Sequence, residues 1–130
     1  MNDYSEIRSF ITDWFAGFDR LDPIDAFLQD LHPDVDWDMP DIDAALIGHE
    51  RVRAWYAKVL ATLQSPTEHH VSNIEITPDA AQFEVLFRAQ TIAGEAIEAR
   101  VQENWRFDVR PNGRPFITSY SAKLLQETIT

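Results

Sequence analysis

Cysteine is absent from the 130 residues, which excludes a disulfide framework and a thiolate metal centre. Only four glycines are present. None builds a glycine-rich phosphate loop or a Gly-x-Ser-x-Gly elbow, so nucleotide cofactors lack their usual signal. No apolar run approaches the roughly 20 residues of a membrane-spanning helix. The start, Met1-Asn2-Asp3-Tyr4-Ser5-Glu6, lacks the basic and then apolar pattern of an export signal, and a cytoplasmic protein is expected. Basic residues are scarce: 11 Lys and Arg against 22 Asp and Glu leave a formal charge of −11. Such a chain repels phosphate backbones and anionic lipid, so nucleic acid and membranes are not expected partners. His32, His49, His69 and His70 make no i, i+4 pair on a helix. Asp34, Asp36, Asp38, Asp41 and Asp43 lack the glycine and closing glutamate of a calcium loop. Neither a metal nor a cofactor is expected.

What is present is enough apolar material, 45% of residues, for one core in a single domain over residues 1–130. Tyr4, Ile7, Ile11, Trp14 and Phe18 recur at helical spacing, widened by Phe10 and Phe15, and predict an amphipathic helix with an aromatic face. Asp22-Pro23 reads as the cap and first turn of a second helix carrying Ile24, Phe27, Leu28 and Leu31, stopped at His32-Pro33. Val35, Trp37 and Met39 alternate with aspartates in a short strand ended by Pro40. Residues 40–48 read as a loop. Val52, Trp55, Tyr56, Val59, Leu60 and Leu63 then mark a third helix. Beyond Ser65-Pro66 the periodicity changes to four strands, His69–Thr77, Gln82–Thr91, Ala96–Val109 and Phe116–Leu125, turning at Pro78-Asp79, Gly94 and Pro111-Asn112-Gly113. The expected architecture is α+β: three N-terminal helices packed on a curved mixed or antiparallel sheet, closing a cone around an apolar pocket.

This order, with Phe18-Asp19, Leu31-His32-Pro33-Asp34-Val35-Asp36-Trp37, Gly48, His69-His70-Val71-Ser72-Asn73 and Glu103-Asn104-Trp105-Arg106-Phe107 at their spacings, resembles the NTF2-like superfamily, in its SnoaL-like small-molecule branch. The resemblance implies a cone-shaped half-barrel, a homodimer formed through the sheet and a pocket at the open end. It fixes no single chemistry, since members include dehydratases, isomerases, polyketide cyclases and epoxide hydrolases.

Strand alternation itself singles out Glu103, the one carboxylate among Ile97, Ala99, Val101, Trp105 and Phe107; burial would raise its pKa into the useful range for an acid or base. The bland alternative is a bulge or an ion pair with arginine. His69 shares a face with Val71 and Asn73, and the resemblance to scytalone-dehydratase-like members implies that a histidine here faces the cavity; a one-residue slip would put His70 there instead. The same members carry a Tyr-Asp pair where this chain has Phe18-Asp19, so Asp19 is the third candidate, its alternative being a turn residue. Departures are equally informative. Met39 stands where ketosteroid isomerases carry their base, Tyr120-Ser121 where SnoaL-type cyclases carry a Trp-Asp pair, and alternation turns Arg106 and Asp108 away from the apolar face.

Three functions remain open. The first is a cofactor-independent dehydratase or isomerase acting on a hydrophobic ring-bearing molecule. His69, Asp19 and Glu103 would do the acid–base work, and Trp14, Phe18, Trp37, Met39, Trp55, Tyr56, Asn73, Trp105 and Tyr120 would contact the ligand. The second is a binding module without turnover. The third is a dimerisation domain using an apolar outer sheet face, with Leu86, Ile117 and Leu125 as its candidates.

Overall fold

The computed structural model describes residues 4–129, with side chains to residue 125. Helix α1 spans Ser5–Asp19 and buries Ile7, Phe10, Ile11, Trp14, Phe15 and Phe18 on one face, as the spacing predicts. Each of these large apolar side chains contributes roughly 1.5–3 kcal/mol on burial. Helix α2 is short, Asp25–Leu28, and no side chain caps it. Asp22 is not its N-cap: its carboxylate pairs with Arg20 at 2.8 Å and its carbonyl accepts the Tyr56 hydroxyl at 2.6 Å. The chain then enters strand β1, Leu31–Asp38. It begins three residues earlier than alternation predicts, because Leu31 already pairs with Ile117; Pro33, which has no N–H to give, falls where that register is irregular.

Within the expected loop a two-residue strand β2, Leu46–Ile47, pairs with β1. Gly48 closes that turn at φ 92°, where a Cβ would meet the Pro33 carbonyl at 3.3 Å. Helix α3, His49–Thr62, buries Val52 and Tyr56 and half-buries Trp55 and Val59, whereas Leu60 faces outward. Strands β3, Glu68–Thr77, β4, Ala80–Gln90, β5, Ala96–Val109, and β6, Pro115–Ile129, form an antiparallel meander. β1 joins its free edge in parallel, giving one mixed sheet in the order β2-β1-β6-β5-β4-β3.

The inner face of this sheet is sealed at one end and loses its cover toward the other. Along β5, Phe107 and Trp105 are 3% and 1% exposed, Glu103 4%, Val101 and Ala99 9% and 8%, and Ile97 is half-buried. β4 runs the same way, from buried Ala81, Phe83 and Val85 to half-buried Phe87 and Ala89. The open end is therefore where β3 begins and β4 ends.

Candidate functional site

At that open end the last residue of α1 meets the start of β3. Asp19 lies on the turn of helix that ends the aromatic stripe, and its carbonyl accepts the Thr67 N–H at 3.0 Å. Its carboxylate accepts three further contacts: the Thr67 hydroxyl at 3.0 Å, the His69 backbone N–H at 3.4 Å and His69 Nδ1 at 2.6 Å. An ionised carboxylate can only accept, so Nδ1 carries a hydrogen, and in the neutral ring Nε2 keeps the lone pair. The imidazole is held between rings, stacked on Phe15 at 5.0 Å and tilted against Phe87 at 4.9 Å. Its side chain is 16% exposed, and Nε2 has no hydrogen-bond partner among the described residues. The geometry is that of an imidazole oriented by a carboxylate and held by aromatic rings. His70 points the other way, with a side chain 58% exposed beside Glu68.

Glu103 does not join this pair. His69 is opposite Phe87, which is opposite Ala99, two inward-facing steps from Glu103. At roughly 3.3 Å per residue and about 4.8 Å per strand, the two backbones lie about 16 Å apart. Between them stand Phe15 and Phe83, the former packing against both His69 and Trp105. Expecting all three acid–base groups in one place therefore fails for Glu103, because sharing the inner face says nothing about position along the strands. Instead Glu103 anchors a separate buried network. Its Oε1 accepts Trp105 Nε1 at 3.0 Å, the Tyr120 hydroxyl also hydrogen-bonds it, and that hydroxyl accepts Trp14 Nε1 at 3.3 Å. Burial pushes the carboxyl up to about 7, against the pull of the two hydrogen bonds, and it pushes the Tyr120 hydroxyl well above its ordinary range, with the Glu103 charge adding to it.

The aromatic candidates divide by depth. Trp14, Phe18, Trp37, Tyr56, Trp105 and Tyr120 belong to the core, Met39 is 9% exposed beside them, and Trp55 is half-buried with its N–H on Asp41. Asn73 is misplaced by the alternation: it sits in a bulge between Ser72 and Glu75 at φ 56°, exposed, with its amide on Glu84 at 2.6 Å. Ile117, expected outside, is fully buried, whereas Leu86 is half-buried and Leu125 exposed. Thr67, Phe15 and Phe87 are the site residues that sequence reasoning missed. The last two read only as stripe members, and a threonine after a proline carries no signal. A surface groove of about 150 Å³ between α1 and α2, lined by Phe10, Asp13, Gly17, Phe27 and Arg114, is separate from the pair. Among the described residues no cluster could hold a metal ion, and no helix is long and apolar enough to cross a membrane.

Solved structures with this fold include a proposed aromatic ring hydroxylase from Novosphingobium aromaticivorans, 23% identical over 98% of this chain and 93% of that one, with a TM-score of 0.77. A ketosteroid isomerase-like protein from Erwinia carotovora atroseptica is 18% identical over 97% and 99%, with a TM-score of 0.76. The epoxide hydrolase/cyclase-like enzyme SalBIII, of pyran ring formation in salinomycin, is 12% identical over 95% and 94%, with a TM-score of 0.73. At these identities the likeness is one of fold. No curated protein matches the sequence. The family profile of the SnoaL-like domain matches residues 11–115, which takes in the aromatic half of α1, the Asp19–His69 pair and the whole of β5. The chain belongs to the SnoaL-like domain family, with an NTF2-like fold.

Proposed function

We propose that this domain is a cofactor-independent acid–base enzyme of the dehydratase or isomerase type, acting on a hydrophobic ring-bearing small molecule. One observation carries the reading: Asp19 Oδ1 and His69 Nδ1 are 2.6 Å apart at the open end of an otherwise apolar inner face. With Nδ1–H fixed on Asp19, Nε2 accepts a proton from a carbon next to a carbonyl. The electron pair of that C–H bond forms a C=C bond. In a dehydration a β-hydroxyl departs and takes the proton back from the imidazolium as water; in an isomerisation the proton returns to another carbon. Asp19 holds the ring and balances the transient imidazolium charge, as orienting carboxylates do. Glu103 takes no part in this step.

A binding module without turnover is the second reading, favoured by the sealed layer of Trp37, Trp105 and Tyr120, each no more than 2% exposed. Turnover of bicyclic β-hydroxyketones, followed by the absorbance of the conjugated product, separates the two. His69→Gln and Asp19→Asn should each lower kcat/KM by at least about a hundredfold, the usual worth of a general base. Nitrogen-15 spectra should show His69 with its hydrogen on Nδ1, and Asp19→Asn should weaken that preference. Activity that survives His69→Gln, or a wild-type ring with its hydrogen on Nε2, would refute the mechanism.

A further inference from the structure

Asp19 is the last residue of α1, and no basic residue lies in the final turn of that helix. The carbonyls at a helix C-terminus form the negative end of its dipole and repel a carboxylate placed there. The next residue, Arg20, is taken by Asp22 at 2.8 Å. With its side chain 28% exposed, Asp19 has water to swing toward, and in that rotamer it would release His69. The segment entering β3 opposes this swing. The Thr67 N–H on the Asp19 carbonyl, at 3.0 Å, joins the two segments through the backbone. Thr67 Oγ1 then lies 3.0 Å from Asp19 Oδ1, the same oxygen that faces His69 Nδ1 at 2.6 Å. The Phe18 carbonyl is farther, at 3.4 Å, so the single hydroxyl hydrogen goes to the nearer, charged acceptor. Thr67 is 3% exposed, which leaves little water to compete for this bond. Oδ2 receives only the His69 backbone N–H, at a long 3.4 Å. Among the described residues, Thr67 is thus the one side chain besides His69 that donates to Asp19.

We propose that Thr67 is a positioning residue: its hydroxyl holds Asp19 Oδ1 against the repulsion of the helix end, so that the carboxylate stays on His69 Nδ1. Nε2 then keeps the lone pair that the acid–base step uses. The inference rests on that proposed step, and extends its pair to a chain from Thr67 through Asp19 to His69.

Thr67→Val keeps the shape and the backbone bond to Asp19 and removes only the hydroxyl, which Thr67→Ser restores. The probe is 3-hydroxy-1-tetralone, a bicyclic β-hydroxyketone that aromatises to 1-naphthol on losing water, followed by absorbance. Thr67→Val should lower kcat about tenfold with KM within about twofold, the scale of one hydrogen bond to a charged group. Thr67→Ser should stay within about threefold of the wild type. Nitrogen-15 spectra without substrate should show the share of His69 with its hydrogen on Nδ1 falling in Thr67→Val and kept in Thr67→Ser. A merely structural threonine would lower the urea midpoint and move neither kcat nor the ring spectra of the folded variant. Wild-type kcat or a wild-type Nδ1–H share in Thr67→Val, or equal losses in the two variants, would overturn the positioning role. Absence of wild-type turnover would count against the acid–base reading, and the ring spectra would still decide whether Thr67 holds Asp19 on His69.

Discussion

Burial raises the Glu103 carboxyl from 4.5 to about 7, so the folded chain holds this proton more tightly than the unfolded one. Its contribution to stability is full below about pH 4.5 and is lost as pH rises through 7, a difference on the order of 3 kcal/mol. Glu103→Gln keeps the shape and removes the titration. Urea midpoints at pH 5 and pH 8 should therefore fall more for the wild type than for the variant; parallel changes would show that the carboxyl ionises at no cost. The same residue shows how far one position can be read from sequence. Alternation on β5 placed Glu103 inward and alone among apolar neighbours, which is what the fold shows. The roles of its partners, the indole N–H of Trp105 two residues away as donor and the hydroxyl of Tyr120 on the next strand, needed the register.

Elements are joined by contacts that local pattern does not announce. Asp30, between α2 and β1, is 4% exposed and is held by Arg110 at 2.8 Å and Arg114 at 3.2 Å. The two guanidinium groups lie over Phe116 and Phe10, so one carboxylate ties the helical layer to the turn joining β5 and β6. Removing one partner of a buried ion pair costs more than the pair contributes. With both arginines partly exposed, Asp30→Ala should lower unfolding free energy by about 2 kcal/mol. Chemical denaturation of Asp30→Ala, with Arg53→Ala as a control that loses only exposed pairs to Asp25 and Glu50, checks this. At this scale the sequence read α1, α3 and the meander correctly, because their periodicity is long and strong. The pattern overextends α2 and delays β1, because a four-residue helix has no period and a proline near a strand start reads as a stop. Asn73 was lost to a bulge, which shifts every later side chain by one face and leaves no mark in the residue pattern.

Over the whole molecule, a charge of −11 works against compaction through self-repulsion. The exposed ion pairs, such as Arg88–Glu98 at 2.8 Å, are individually worth little and weaken with salt. Screening of the net charge should dominate, so the Tm should rise by a few degrees between 50 mM and 500 mM sodium chloride, as measured by scanning calorimetry, a shift of about 1 kcal/mol. A falling Tm would mean that the surface pairs outweigh the net repulsion.

The sequence by itself determined the α+β class, the aromatic face of α1, the turn positions of the meander and the inward direction of Glu103, because these follow from local periods of 3.6 or 2 residues and from turn residues; the choice between His69 and His70 needed the register. Only the tertiary structure decided that Asp19 and His69 meet, that Glu103 stands about 16 Å from His69, and that the Trp37 N–H has no acceptor among the described residues. Those outcomes depend on strand register, on a parallel pairing between distant segments and on where α1 ends over the sheet. Such distances between remote parts of the chain are set by packing, and no local pattern encodes them.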